Sequence, residues 1–239
     1  MTRVGRLLRE RTDAKLIELI LVAAVACAMI AIGWRLVGDR PLARQAVVWF
    51  ANLVMLGMIW LGLRLRGQTW EHFGLALRFP GWPRLLRMLL QSMLVLVVAL
   101  VAFVAGGILA STLGPAPEGA DMTRYSYLQG NLPMLLMALA AVYVVSSFGE
   151  EVVYRGFLMT RVTELSRSGK PQWTWAAVIS AVVFGLAHFD WGVVGIVQTT
   201  LMGVALAVSY LAVKRNLWVL VLAHVYIDTL LLVQLHLGS

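Results

Sequence analysis

The chain has 239 residues, of which 60% are hydrophobic and only 13% are charged, and its formal net charge is +8. This composition excludes an ordinary soluble domain, and the scattering of the basic residues over short loops argues against nucleic acid as a partner. The sequence therefore predicts an all-α, polytopic integral membrane protein in a lipid bilayer.

Seven apolar runs are long enough to cross a membrane as helices. They cover residues 16–34, 46–63, 86–113, 132 to about 154, 173–189, 192–213 and 217–237. The first run also follows a basic segment, as a signal peptide does, but it is longer than a usual signal core and we interpret it as a helix. We divide the chain into N-terminal helices and loops, residues 1–131, and a catalytic core, residues 132–239.

The basic residues predict the orientation of the chain in the membrane. Sixteen of the 20 Lys and Arg residues lie at the N-terminus or on every second connection between the apolar runs. The other four lie on the remaining connections. Because basic loops stay on the cytoplasmic side, the N-terminus is expected in the cytoplasm. Short loops and the absence of organelle signals favour a bacterial inner membrane.

Two adjacent glutamates, Glu150 and Glu151, lie at the end of the fourth apolar run. An ionisable side chain at hydrocarbon depth costs roughly 2.5 to 3.5 kcal/mol, so such a pair indicates function. Arg155 follows Glu151 by four residues, which places the two charges on one helical face. We interpret Glu150 as catalytic and Glu151 as supporting. The alternative is a helix end at the interface, where both carboxylates are solvated.

The rise per residue of an α-helix places His188 at the same depth as Glu150. Glu150 precedes a turn centred near residue 169 by 19 positions and His188 follows it by 19. At 1.5 Å per residue, both lie about 28 Å from the turn, and Arg155 is likewise level with Phe184. A water held between Glu150 and His188 becomes the nucleophile of a hydrolase when the carboxylate takes its proton.

The last apolar run carries a second polar pair, His224 and Asp228, four residues apart. In a hydrolase, His224 as a donor stabilises the oxyanion of a tetrahedral intermediate. Either histidine alone is more simply explained as a residue that bonds a neighbouring carbonyl, so the hypothesis depends on the motifs converging.

The expected depths of the two histidines conflict. An outward helix over 173–189 places His188 near the outer face, whereas His224 lies about 14 Å from the inner turn at Lys214 and Arg215. We therefore expect that helix to stop within the membrane, followed by an irregular, protein-buried segment at residues 189–194.

The three motifs read EExxxR at residues 150–155, FxxxH at 184–188 and HxxxD at 224–228. In this order, each in an apolar segment, they resemble the CAAX protease and bacteriocin-processing family of intramembrane proteases. The resemblance covers roughly residues 140 to 235. It implies an all-helical membrane fold and hydrolysis of a peptide bond in a membrane-associated, prenylated or peptide substrate.

The resemblance also implies roles for individual residues. Glu150 and His188 activate the water, and His224 with residue 228 forms the oxyanion site. The supporting residues are Glu151, Arg155 and Phe184. Members of the family usually have Asn at the last position, and this chain has Asp228. Because an ionised carboxylate repels an oxyanion, Asp228 must be protonated, orient His224 or ligate a metal.

Two questions stay open at this point: whether the mechanism uses a metal ion, and whether the protein is an enzyme. The donors of Glu150, His188, His224 and Asp228 suit zinc, but no HExxH-type pair fixes two ligands on one helix. We favour a glutamate mechanism with no metal or other cofactor and keep a zinc-dependent variant as the alternative. Two further alternatives are a non-catalytic membrane regulator or immunity protein and a proton-coupled transporter, although the chain lacks the internal repeats usual in transporters.

Overall fold

The computed structural model describes residues 2–76, 81–112, 122–166 and 172–238. These ranges contain eight helices and no strand. The helices are α1 (Arg3–Glu10), α2 (Thr12–Val37), α3 (Pro41–Arg66), α4 (Trp82–Thr112), α5 (Leu132–Glu164), α6 (Trp173–Ala187), α7 (Gly192–Ala212) and α8 (Leu217–Leu237). The predicted all-α, polytopic membrane fold is confirmed. The predicted turn near residue 169 lies outside the described residues.

Six of the described helical segments are long and apolar enough to cross a membrane. They are α2, α3, α4, α5, α8 and the segment Phe189–Ala212, which includes α7. The seventh predicted span, α6, has 15 residues. At 1.5 Å per residue it is about 22 Å long, which is less than the hydrocarbon thickness of about 30 Å. The expectation that this helix stops within the membrane therefore agrees with its length.

The segment that follows α6 differs from the expected buried, irregular loop. Residues Phe189–Trp191 form one turn of 3₁₀-helix, and α7 begins directly afterwards. Phe189 is 55% exposed and Val193 is 65% exposed. Gly192 has a φ of +71°, a conformation that glycine adopts without strain. The chain therefore changes direction at this one residue, and a longer loop is not required.

Helix α5 continues well beyond its predicted end near residue 154, to Glu164. Arg155 and Arg161, which lie beyond the predicted end, are fully buried within it. Arg155 is paired with Glu151 and Arg161 with Glu164, so neither charge requires the helix to end in water. The alternative that placed the glutamate pair at a solvated helix end is therefore wrong.

Two stretches of α5, Tyr143–Phe148 and Glu151–Leu158, are π-helical. Glu150 lies between them, so both neighbouring turns are wider than α-helical ones. An extra residue per turn rotates all following side chains relative to a regular helix, by about 100°. The directions of the glutamates therefore cannot be derived from a 3.6-residue period. π-Helical turns are frequent at functional sites.

Small residues allow α6 to pack closely on α7. A Cβ atom on Gly185 would lie 2.8 Å from the carbonyl oxygen of Ile196, and one on Gly203 would lie 3.1 Å from Cα of Ala181. Close backbone approach through small residues is the usual way in which helices associate in membranes. This contact fixes the depth of α6, and with it Phe184 and His188, relative to the rest of the bundle.

A buried ion-pair network joins α2 and α3 to the end of α5. Arg66 pairs with both carboxylate oxygens of Glu18, and Arg161 lies 3.3 Å from Glu18 and 2.9 Å from Glu164. Arg66 and Arg161 are almost completely inaccessible. Removing one partner of a buried pair typically costs about 3 to 5 kcal/mol. The network therefore holds the N-terminal helices firmly against the glutamate-bearing helix.

Candidate active site

Glu151 is a fully buried carboxylate at the centre of the site. Its Oε1 atom accepts hydrogen bonds from Nη1 of Arg155 at 3.0 Å and from Nδ1 of His224 at 2.8 Å. Within the described ranges, its Oε2 atom has no hydrogen-bond partner. Glu151 thus connects Arg155, its neighbour on α5, with the histidine of α8.

Arg155 is held by an aromatic ring as well as by its ion pair. Its guanidinium carbon lies 4.4 Å from the centroid of the Phe184 ring, which in turn packs edge-on against Tyr154 at 5.0 Å. Nη2 of Arg155 donates to the carbonyl of Gly203 at 3.5 Å. A desolvated cation–π contact contributes about 2 kcal/mol. The sequence spacing that put Arg155 level with Phe184 is confirmed.

His224 lies among three carboxylates. Its Nδ1 atom donates to Glu151, and its Nε2 atom lies 3.9 Å from Oε2 of Glu150 and 3.8 Å from Oδ1 of Asp228. The bond at Nδ1 orients the ring and aims Nε2 at the gap between the other two carboxylates. Distances of 3.8 and 3.9 Å are too long for direct hydrogen bonds and too short for a water on the line between the atoms, so a water that contacts them lies to one side.

Two serines that were not identified from the sequence donate hydrogen bonds to Glu150 and Asp228. Oγ of Ser147 donates to Oδ2 of Asp228 at 2.6 Å, and Oγ of Ser146 donates to Oε1 of Glu150 at 3.3 Å. Ser146 precedes Glu150 by four residues, which was a recognisable local signal. The bond between Ser147 and Asp228 joins two helices and has no such signal.

His188 lies directly after the last residue of α6. Its Nδ1 atom carries the ring proton, because its partner at 2.8 Å is the carbonyl oxygen of Phe184, which can only accept. Its ring packs against Trp191 at 5.2 Å. The described residues show no hydrogen bond or ion pair between His188 and Glu150.

The predicted site residues thus fall into two sets. One set is connected by direct contacts across α5, α6 and α8, and comprises Glu150, Glu151, Arg155, Phe184, His224 and Asp228. His188 follows Phe184 by one turn and lies beside this set, with its Nε2 atom bonded to no described residue. A molecule between His188 and Glu150 is needed to link them.

The metal alternative requires several donor side chains grouped around one point. In the part of the chain that the structure describes, no group of three or more His, Cys, Asp or Glu side chains is arranged to hold a metal ion. Nδ1 of His224 is bonded to Glu151 and Oδ2 of Asp228 to Ser147, so Nε2 and Oδ1 are the atoms without a direct bond, and Nε2 of His188 is bonded to no described residue. Zinc dependence stays a prediction.

Comparison with protein-family models matches residues 132–230 to the family described as Type II CAAX prenyl endopeptidase Rce1-like. The matched segment contains all three motifs. Residues 132–230 are thus similar to this family. No curated protein and no solved structure matches the chain. The family supports a CAAX-type intramembrane endopeptidase as the general class of this integral membrane protein, and the division of the chain at residue 132 stays a prediction.

Proposed function

We propose that the chain is an intramembrane endopeptidase that uses Glu150 to activate water against a peptide bond of a membrane-associated substrate. The observation that carries this proposal is the position of Nε2 of His224, 3.9 Å from Glu150 and 3.8 Å from Asp228. We place the water beside these atoms, in contact with Oε2 of Glu150 and Nε2 of His224. The Rce1-like match supports the reaction class.

Glu150 acts as the general base. Its Oε1 atom accepts from Ser146, so Oε2 faces the gap and is available to the bridging water. As Glu150 takes a proton, the water oxygen bonds to the carbonyl carbon of the substrate and a tetrahedral intermediate forms. The carbon–nitrogen bond then breaks, and the proton held by Glu150 passes to the leaving amine. Glu150 returns to its ionised form.

His224 stabilises the intermediate, and Glu151 positions it. The Glu151 carboxylate accepts the Nδ1 proton, so the ring cannot rotate without losing that bond. With a proton on Nε2 as well, His224 donates to the oxyanion that develops in the gap. Arg155 balances the charge of Glu151 in a fully buried pair. This division of labour resembles the way in which a buried carboxylate orients a catalytic histidine in hydrolytic triads.

Asp228 orients rather than donates. Its Oδ2 atom accepts from Ser147, and its Oδ1 atom faces Nε2 of His224. Of the three roles open to this residue, these contacts favour holding His224. His188 completes the site from α6: its proton is committed to the Phe184 carbonyl, so Nε2 is an acceptor that holds the water or a substrate N–H.

The test is cleavage by the purified protein in liposomes, with a peptide library as substrate. Glu150→Gln keeps the shape of the side chain and removes the base, so the rate should fall by a factor of order 10² to 10⁴. Glu10→Gln, at an exposed position of α1, is the matched control and should cleave like the wild type. If the wild type cleaves nothing that Glu150→Gln fails to cleave, the proposal is refuted.

A further inference from the structure

Asn52 is a buried amide on α3, outside the segment that matches the family. It is 7% exposed, and its Oδ1 atom has no hydrogen-bond partner among the residues described. Nearby residues of the same face, Ala51, Ile59 and Leu63, are apolar and pack into the bundle. An enclosed amide oxygen without a partner is destabilising, so its presence needs an explanation, and a partner that binds during function supplies one.

The amide faces α5 at the residue before the catalytic glutamate. A Cβ atom on Gly149 would lie 2.8 Å from Oδ1 of Asn52 and 3.3 Å from its Cγ. Only a residue without a side chain at Gly149 allows Asn52 to come this close. Gly149 lies between the two π-helical stretches, so Asn52 adjoins the distorted turn that presents Glu150.

The neighbouring carboxylates of the site are each bonded through one oxygen. Glu151 is bonded to Arg155 and His224, and Asp228 is bonded to Ser147. A peptide bond presents one N–H and one C=O, and a side-chain amide offers both an acceptor and donors that match them. A substrate backbone inside a membrane needs such partners, because no bulk water is present to satisfy it.

We propose that Asn52 is a substrate-binding residue whose amide hydrogen-bonds the backbone of the substrate beside the scissile bond. This inference rests on the proposed function and places a specificity-independent contact in the N-terminal half of the chain. Because the contact is to the backbone, it supports any peptide that enters the site and does not select among side chains. The complete site then combines α3 with α5, α6 and α8.

Thermal unfolding of Asn52→Leu separates substrate binding from a structural role. Leucine has a similar size, and the change removes an amide that lacks a partner, so Tm should stay the same or rise. Ile59→Leu, on the same face of α3, is the control for altered packing. A fall in Tm of more than about 4 °C relative to that control would show that the protein itself satisfies the amide and would overturn the proposal.

Kinetics give the second readout. Asn52→Leu should lower kcat/KM by a factor of about 10 to 100, mainly through KM, because a site that hydrogen-bonds its substrate discriminates strongly when the bond is lost. Asn52→Gln keeps the amide and should recover part of the loss. Equal losses for the Leu and Gln variants, or an unchanged kcat/KM in the Leu variant, would contradict substrate binding by the amide.

Binding without turnover distinguishes this inference from the proposed function. Biotinylated library peptides are added to liposomes that hold either Glu150→Gln or Glu150→Gln with Asn52→Leu. Retention by the single variant and its loss in the double variant support the inference, even if the wild type cleaves nothing and the proposed function fails. Equal retention by both variants, or retention by neither, overturns it.

Discussion

His224 is bonded through Nδ1 to Oε1 of Glu151 at 2.8 Å, whereas its Nε2 atom lies 3.9 Å from Glu150. The two adjacent glutamates therefore meet opposite sides of one imidazole ring. Glu151 makes the direct bond that orients the ring, and Glu150 faces the open gap. Their different surroundings give two neighbouring carboxylates separate roles, one in positioning and one in proton transfer.

Glu151→Gln should reduce both the stability and the rate of the enzyme. The change leaves Arg155 as an unpaired charge in a fully buried position, which typically costs about 3 to 5 kcal/mol. Yield and Tm in detergent should fall, together with cleavage. Adding Arg155→Met removes the unpaired charge and should restore Tm but not activity. A Glu151→Gln protein with the Tm of the wild type would contradict this account of the pair.

His188→Ala should lower the rate by a factor of order 10² to 10⁴, because Nε2 of His188 is bonded to no described residue and is available to the water or the substrate. His236→Ala is a closely matched control. Its Nδ1 atom likewise bonds a backbone carbonyl, that of Leu128, at 2.8 Å, but far from the site. Equal effects of the two substitutions on cleavage would show that His188 has no role beyond its carbonyl bond.

Asp228→Asn should retain or improve activity. The amide oxygen of the new side chain can accept the bond from Ser147, and its amino group, which replaces Oδ1, donates to the oxyanion without a protonation requirement. His224 loses its contact with Oδ1 but keeps the bond from Nδ1 to Glu151, which still orients the ring. Initial cleavage rates of this variant are compared with those of Asp228→Leu, which loses both interactions and should be slow. An inactive Asn variant beside an active wild type would mean that the carboxylate itself is required.

Chelators should leave cleavage unchanged, and the purified protein should contain no stoichiometric zinc. The reason is that no group of three or more His, Cys, Asp or Glu side chains among the described residues is arranged to hold a metal ion. Metal content by mass spectrometry and activity before and after chelation provide the measurement. One zinc per chain that leaves together with activity, and restores it on return, would establish the zinc-dependent alternative.

The sequence by itself determined the all-α membrane fold, the pairing of Glu151 with Arg155 and the common depth of Arg155 and Phe184. Apolar runs of this length are satisfied in a membrane only as helices, because every backbone polar group must bond within its own segment. The pairing is local, at a spacing of four residues, and depends on no distant contact. The equal depth depends only on helical rise on either side of one turn.

Only the tertiary structure decided which glutamate contacts His224, where α5 ends and that Asn52 adjoins Gly149. π-Helical turns rotate the glutamates away from the directions that a regular helix gives. The end of α5 depends on Glu18, a residue of α2 that helps to neutralise the buried Arg161. Such contacts join residues far apart in the chain, and no local period or spacing encodes them.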